Sequence, residues 1–393
     1  MKKTGYVLVL DGQWRHALSV TRALGKRGIK VIVCDPSKTA LSKYSKYCCK
    51  RITSPDPKTS PDDFIEYLIR FSNRENIDLI IPNADYTVEL LAKHKSQFDN
   101  ITRIPLKGYD IVSKALDKAQ TMRVALENGV PCPETHLIED EAEIPKVADS
   151  LKYPAIIKPR KGTGAVGLEK VSSKDEFLKH YYRIHKVFRF PIVQDFIPGP
   201  NKKHNFCAIL NSRGETKASF AMEHLRLYPY DAGVGTYARS VIHEEVTKYG
   251  LRFLKALDWY GIAQVEFKID PRDGLPKLLE VNPRFWGMTE MAVCSGLDLP
   301  YILYRMVLFD DASEYTEYRP ETYLRWLIPG DILHFISNPD RRHILRDFVK
   351  FFDKNLHYAI ISKDDPLPTL GIIISSLAGL FDKHTRQLVF RKF

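Results

Sequence analysis

The 393-residue sequence contains no Cys-X-X-Cys pair, no unbroken run of five lysines or arginines, no GxGxxG and no apolar stretch long enough to cross a bilayer. Each absence removes a class. The six cysteines lack the spacing of a zinc module, and adjacent Cys48 and Cys49 are poorly placed for an ordinary disulfide, so a reducing, cytoplasmic setting is expected. Tyrosines and phenylalanines are scattered rather than interleaved with a basic stripe, which argues against nucleic acid as a partner. The opening MKKTGYVLVLDGQW has too few apolar residues before Asp11 for a signal-peptide core and is expected to begin the first strand. The most apolar stretch, LGIIISSLAGLF at 370–381, is too short to span a membrane. A buried helix is expected there, with shallow interfacial anchoring beside Lys383, Arg386, Arg391 and Lys392 as the alternative.

What remains is an ordinary globular composition, 44% hydrophobic and 27% charged, which excludes general disorder and leaves room for two or three domains. A formal charge of +11 favours an anionic partner, such as a phosphorylated ligand or a membrane surface. Residues 6–10, 15–26 and 30–34 pattern as strand, helix, strand, and residues 79–82 repeat the theme after a helical stretch, as in a doubly wound α/β unit. The first turn, Asp11-Gly12-Gln13-Trp14-Arg15-His16, lacks the glycines through which a backbone approaches pyrophosphate, so no dinucleotide is expected. The loops at 12–16 and 82–85 are still candidates to touch a small substrate at the carboxyl ends of the strands. Residues 110–128 pattern as a helix stopped by Gly129-Val130-Pro131, and strands, glycine-rich loops and single helices alternate from there to about residue 310.

Residues 263–270 (AQVEFKID) and 275–287 (LPKLLEVNPRFWG) alternate apolar and polar positions around the turn Pro271-Arg272-Asp273-Gly274. The pattern predicts a hairpin in which Glu266 faces Glu280, Gln264 faces Asn282, and Val265 and Phe267 face Val281 and Leu279. Facing carboxylates repel by a few tenths to about 1 kcal/mol unless a cation lies between them. Glu266, Glu280 and the amide oxygen of Asn282 are hard ligands, suited to Mg2+ (or Mn2+) that also holds phosphates. A solvated face, with the glutamates paired to Lys268 or Lys277, is the alternative these residues leave open.

Upstream, residues 154–171 (PAIIKPRKGTGAVGLEKV) pattern as a strand ending at Lys158, a loop with Gly162, Gly164 and Gly167, and a second strand. Backbone N–H groups of such a loop close over phosphate oxygens while the lysine supplies charge. Residues 191–199 (PIVQDFIPG) pattern as another strand running into a turn. Lysine, glycine loop, strand into Pro-Gly, acidic hairpin and Asn282-Pro283-Arg284 follow in one order. In that order the chain resembles the ATP-grasp superfamily from about residue 110 to 310, and in particular its carbamoyl phosphate synthetase, biotin carboxylase and amino-acid ligase branch.

The resemblance implies an α/β Rossmann-like (pre-ATP-grasp) domain over 1–110, an α+β ATP-grasp module over 111–310 with a small lid subdomain at about 122–193, and a mostly helical C-terminal region over 311–393. It implies that Lys118 and Lys158 bind ATP phosphates under the Gly162–Gly167 loop, and that Gln194, Asp195, Phe196 and Ile197 hold adenine. Glu266, Glu280 and Asn282 become Mg2+ ligands, and Arg284 reaches the transferring phosphoryl group. Glu223, His224 and Arg226 are implied to contact nucleotide or substrate. Many relatives carry a ribose-binding acid after the linker turn; this chain has Pro200-Asn201-Lys202-Lys203-His204, either hydroxyl partners through Lys203 or His204 or exposed loop charge.

The activity implied is carboxylate–amine ligation through an acyl phosphate, on small-molecule substrates. An enzyme acting on bicarbonate is argued against by the single grasp and the lack of a carrier segment. A nucleotide-binding regulator without turnover is argued against by retention of the lysines, glutamates, asparagine and arginine. Peripheral membrane contact and a homodimer are left open.

Overall fold

The computed structural model describes residues 5–162, 166–200, 202–230, 233–311 and 313–381. At the N-terminus, short aliphatic strands pair in parallel: β1 (Tyr6–Val9), β2 (Val31–Cys34), β3 (Cys48–Ile52) and β4 (Ile77–Ile81), in the order β3-β2-β1-β4. Helices α1 (Arg15–Lys26), α2 (Pro61–Glu75) and α3 (Asp85–Lys93) accompany them. The central strands β1, β2 and β4 are almost wholly buried, so they carry near-continuous apolar runs instead of alternation. The carboxyl ends of β1 and β4 meet where Asp11 accepts from the Asn83 N–H at 2.9 Å and from Thr87 Oγ1 at 2.6 Å.

The helix expected over 110–128 is two helices, α4 (Tyr109–Leu116) and α5 (Lys118–Glu127). Asp117 between them is extended, and its carboxylate caps α5 by accepting from the Ala119 and Gln120 N–H groups. Such a cap is worth about 1 kcal/mol. The interruption leaves Lys118 at the mouth of a helix instead of on its flank.

An antiparallel sheet follows, of β5 (Thr135–His136), β6 (Ala155–Lys158), β7 (Glu169–Val171) and β8 (Ile192–Asp195) in the order β5-β8-β6-β7. With α6 (Ile144–Ser150) and α7 (Lys174–Val187) it encloses its own apolar core around Ile157, Phe177 and Tyr181. The largest sheet holds β9 (Lys203–Leu210), β10 (Thr216–Tyr228), β11 (Val234–Ser240), β12 (Gly261–Ile269) and β13 (Pro276–Asn282), with α8 (Glu244–Ala256) on one face. Its cores are shared with the N-terminal unit: Leu8 and Phe64 belong with Phe253 and Phe267, and Val9 and Leu18 with Ile209 and Phe285.

After α9 (Thr289–Cys294) and α10 (Leu299–Phe309), the chain forms β14 (Tyr323–Arg325), α11 (Ile332–Ser337), α12 (Arg341–Phe348), β15 (Leu356–Tyr358) and α13 (Leu367–Phe381). Among the described residues beyond 310, helix outweighs strand, and the chain adds two short strands as well: β14 pairs with β11 and β15 with β14, extending the large sheet to the order β13-β12-β9-β10-β11-β14-β15. One expectation changes here: the apolar stretch is helical, but its residues 370–376 are not buried, because α13 rests on the turns at 41–44 and 327–331 with Leu370 and Ile374 left exposed. Among the described residues no helix is long and apolar enough to cross a membrane.

Candidate active site

Antiparallel pairing of β12 with β13 sets Glu266 opposite Glu280, Gln264 opposite Asn282 and Val265 opposite Val281. Phe267, however, lies opposite Leu278, because the register shifts between Glu266 and Phe267. The extra residue of a bulge drops out of the ladder. Here it is Leu279, whose carbonyl accepts from Lys158 Nζ at 3.0 Å and so ties the hairpin to β6 of the small sheet. Asn282 Nδ2 donates to Gln264 Oε1 at 2.9 Å, and Asn282 Oδ1 accepts from Arg284 Nη2 at 2.9 Å.

The repulsion between the facing glutamates is offset by lysines from other elements. Lys203 Nζ, at the start of β9, lies 2.7 Å from Glu266 Oε1. Lys118 Nζ lies 3.4 Å from Glu280 Oε2 and donates to the Gly162 carbonyl at 2.9 Å. Burial, reinforced by Lys118, drives the pKa of Lys158 down to about 7 against the pull of Glu280 and Glu266. Burial also works against charge on Lys203, yet Glu266 and Glu280 outweigh it and hold its pKa above the ordinary lysine value. Burial raises the pKa of Glu266 in spite of Lys203, whereas Lys118, Lys203 and Lys158 outweigh burial at Glu280 and lower it. Neither Lys268 nor Lys277 neutralises the pair: Lys268 donates to the Ile197 carbonyl at 2.8 Å, and Lys277 pairs with Asp273. Three lysines therefore surround two carboxylates in a largely dry recess, which leaves an excess of positive charge for an anion to meet.

The loop after β6 begins at Gly162, with φ of 126°, and ends at Gly167, with φ of 75°. A Cβ on Gly167 would sit 2.8 Å from Pro159 Cγ, so only glycine fits both the backbone and the space. Gly164 lies outside the described residues. Gln194 is buried on β8 and donates to Thr135 Oγ1 at 2.8 Å, while Asp195 pairs with Ala155 of β6. Phe196 lies under the Lys170 ammonium at 4.1 Å, and Ile197 gives its carbonyl to Lys268. The segment 194–197 thus runs from the small sheet to the large one beside the strand of Lys158.

Strand alternation sorts the other candidates between the two faces of the large sheet. Asn205 pairs with Glu266 across β9 and β12, and His224 shares that face, its Nε2 lying 3.2 Å from Asn205 Nδ2. Burial, helped by Lys203 and Arg15, lowers the pKa of His224 to about 3, so its imidazole is neutral. Gly235 is obligatory beside it, since a Cβ there would come within 2.8 Å of the ring. His204 and Glu223 pair with each other and point to the opposite face: His204 meets the His243 ring at 5.1 Å, and Glu223 is held by Arg239 at 2.8 Å and Lys202 at 3.5 Å. Arg226 is engaged by Asp331 at 3.3 Å and Asp347 at 3.1 Å. The structure therefore gathers Lys118, Lys158, Glu266, Glu280, Asn282, His224 and Arg284, and does not bring His204, Glu223 or Arg226 to them.

Two contributors come from the loops at 12–16 and 82–85 offered by the sequence as substrate contacts, and a third, Lys203, takes a role the sequence did not suggest. Arg284 Nε donates to Asp85 Oδ1 at 2.6 Å, so the first residue of α3 orients the arginine at the hairpin's end. Arg15, at the start of α1, donates to the Gly287 carbonyl at 2.6 Å and stacks on Trp326 at 3.9 Å, with no carboxylate partner among the described residues. Both follow carboxyl ends of parallel strands, the position that singles out ligand contacts in such sheets. Lys203, taken from sequence as a ribose partner or exposed charge, is instead three-quarters buried or more, with 18% of its side chain exposed against Glu266. Its role follows from the adjacency of β9 and β12, which nothing local in the sequence announces.

Residues 115–288 match the family model described as the ATP-grasp domain. Among curated proteins, D-aspartate ligase of Enterococcus faecium is 24% identical over 257 residues, covering 60% of this chain and 61% of that one. D-alanine–D-alanine ligase of a Thermoanaerobacter species is 28% identical over 272 residues, covering 59% of this chain and 73% of that one. Among solved structures, the biotin carboxylase domain of Hydrogenobacter thermophilus 2-oxoglutarate carboxylase, in complex with MgADP, ADP and bicarbonate, superposes with a TM-score of 0.67 at 16% identity, covering 82% of this chain and 74% of that one. That last likeness is one of fold.

Proposed function

We propose, on the premise that residues 115–288 are an ATP-grasp domain, that the chain is an ATP-dependent carboxylate–amine ligase working through an acyl phosphate. The observation that carries the reading is the convergence of Lys118, Lys158 and Lys203 on the facing Glu266 and Glu280. On this reading residues 1–110 are the Rossmann-like domain that precedes the grasp, and about 122–193 form its smaller, lid half.

The donor set suits a divalent ion that arrives with a nucleotide. Among the described residues no group of three or more His, Cys, Asp or Glu side chains is placed to hold a metal by itself. Mg2+ demands near-octahedral oxygen coordination, which two carboxylates and an amide complete only with phosphate oxygens and water. Lys203 pairs with Glu266 and Lys118 with Glu280, and on this reading these pairs exchange partners when triphosphate enters. When bound, Mg2+ supplies charge neutralisation at the β- and γ-phosphates.

Lys118 and Lys158 then face phosphate oxygens, with the loop from Gly162 to Gly167 closing over them and residues 194–197 against adenine. A substrate carboxylate oxygen attacks the γ-phosphorus as the bond to the β-phosphate oxygen breaks, yielding acyl phosphate and ADP. An amine then attacks the acyl carbon; the C–N bond forms, the C–O bond to phosphate breaks, and phosphate leaves with a proton lost from nitrogen. On this reading Arg284, whose guanidinium is held by Asp85, stabilises the transferring phosphoryl group. Arg15 and neutral His224 lie at the same end of the large sheet, and the Arg15 guanidinium, which has no carboxylate partner among the described residues, suits a second anionic group on the acid or amine. The names of the curated relatives support amino acids as the substrate class.

Hydroxylamine trapping tests the proposal. Incubation with ATP, Mg2+, hydroxylamine and a library of amino acids and other carboxylic acids is expected to give an acyl hydroxamate with one or a few acids. ADP formation that requires bicarbonate and yields no hydroxamate would contradict it.

A further inference from the structure

Two exposed apolar stripes lie in the C-terminal region, away from the lysines and glutamates. Helix α12 is anchored by its inner side, where Phe348 stacks on Phe335 at 4.2 Å and the Arg325 guanidinium lies 4.6 Å from the Phe348 ring centroid. Its outer side carries Leu345 and Val349 one turn apart, both about half exposed, and leads to Phe352, which is 99% exposed. The helical bond from the Val349 N–H to the Leu345 carbonyl, 3.0 Å, keeps these two in line. Beside that stripe runs a basic one at the same spacing: Arg342, Arg346 and Lys350, all exposed. Helix α13 adds a second apolar stripe, with Leu367, Leu370 and Ile374 exposed on one face at helical spacing. The turn at 327–331 leads into α11, which packs against α12, and it also supports α13, so the two helices are attached to one turn.

An apolar stripe flanked by basic residues is the pattern of a helix lying in the plane of an anionic lipid surface, its apolar side among the acyl chains and its cations at the headgroups. A second copy of the chain is the weaker occupant, because a twofold contact through this face would bring the same basic stripe against itself. We propose that the region from α12 through α13 docks the protein peripherally on an anionic membrane surface, without crossing it. Phe352 and Ile374 enter the interface, and Arg342, Arg346 and Lys350 give the preference for negative charge. The docked face is also tied to the large sheet, because Arg226 on the strand of His224 is paired with Asp347 of α12.

The test is co-sedimentation of the full chain with vesicles of phosphatidylcholine alone or with phosphatidylglycerol added. The chain is expected to bind the anionic vesicles at least about tenfold more tightly, with binding weakened by salt. The double substitution Phe352→Ser with Ile374→Ser, both at exposed positions, is expected to lower binding about tenfold or more with an unchanged circular dichroism spectrum. The triple substitution Arg342→Gln, Arg346→Gln and Lys350→Gln is expected to abolish the preference for anionic lipid. Equal affinity for both vesicles, no sedimentation with either, or a dimer in light scattering that dissociates on the Phe352 and Ile374 substitutions would each overturn the proposal.

Discussion

At the scale of single residues, the site is a cluster of charges in a recess that water reaches only in part. Glu280→Gln removes one member of the facing pair while keeping its shape, so turnover of ATP is expected to fall by about 100-fold or more. Its thermal midpoint is expected to move by less than about 4 °C, checked by scanning calorimetry beside the ADP assay. Lys158, with a pKa near 7, is charged below that value and largely neutral above it. Triphosphate binding favours the charged form, so affinity is expected to fall as pH rises from about 6 to about 8.5, and binding at the upper end to take up a proton. Titration calorimetry in buffers of different ionisation enthalpy measures that uptake; a pH-independent affinity with no uptake would count against the lysine's contact. The facing of Glu266 and Glu280 and the place of Lys158 at a strand end before a glycine loop were legible in the sequence pattern, whereas Lys118 and Arg284 were singled out by the family resemblance alone. The placement of His204 and Glu223 was not legible, since which face of β9 and β10 they occupy depends on pairing between strands far apart in the chain.

At the scale of elements, local irregularities shape the site more than the regular strands do. Glycine at 167 combines a left-handed backbone with contact against Pro159, so Gly167→Val is expected to destabilise the loop and its strand. The expected result is a KM for ATP raised several-fold and a stability loss of about 1–2 kcal/mol, measured by denaturant titration. The bulge at Leu279 and the break at Asp117 act in the same way: one frees a carbonyl for Lys158, the other presents Lys118 at a helix start. Sequence alternation predicted the facing of Glu266 and Glu280 but not the bulge, because a hairpin turn and its apolar pattern leave the ladder free to gain a residue. The continuous helix read over 110–128 failed for a related reason: Asp117 is an interior residue by periodicity and a cap by chemistry. In the C-terminal region short strands β14 and β15 escaped notice because their pairing partners determine them, not their own few residues.

At the scale of the whole molecule, the apolar cores divide the chain unevenly. The N-terminal sheet and the large sheet share theirs, whereas the small sheet keeps its own; on the proposed reading it is therefore the unit expected to shift as a body when nucleotide binds. Hydrogen exchange is expected to show the amides of 156–162 and 192–197, which border the cleft, slowed by a non-hydrolysable ATP analogue with Mg2+. Protection confined to the N-terminal sheet would place the nucleotide elsewhere. The measurement that bears most directly on the central claim is mass spectrometry of products formed from ATP, Mg2+ and paired carboxylate and amine libraries. The account predicts an amide whose mass is that of acid plus amine less water, formed in a one-to-one ratio with ADP and absent with Glu280→Gln. ADP without any condensed product, or condensation that persists in that variant, would contradict it.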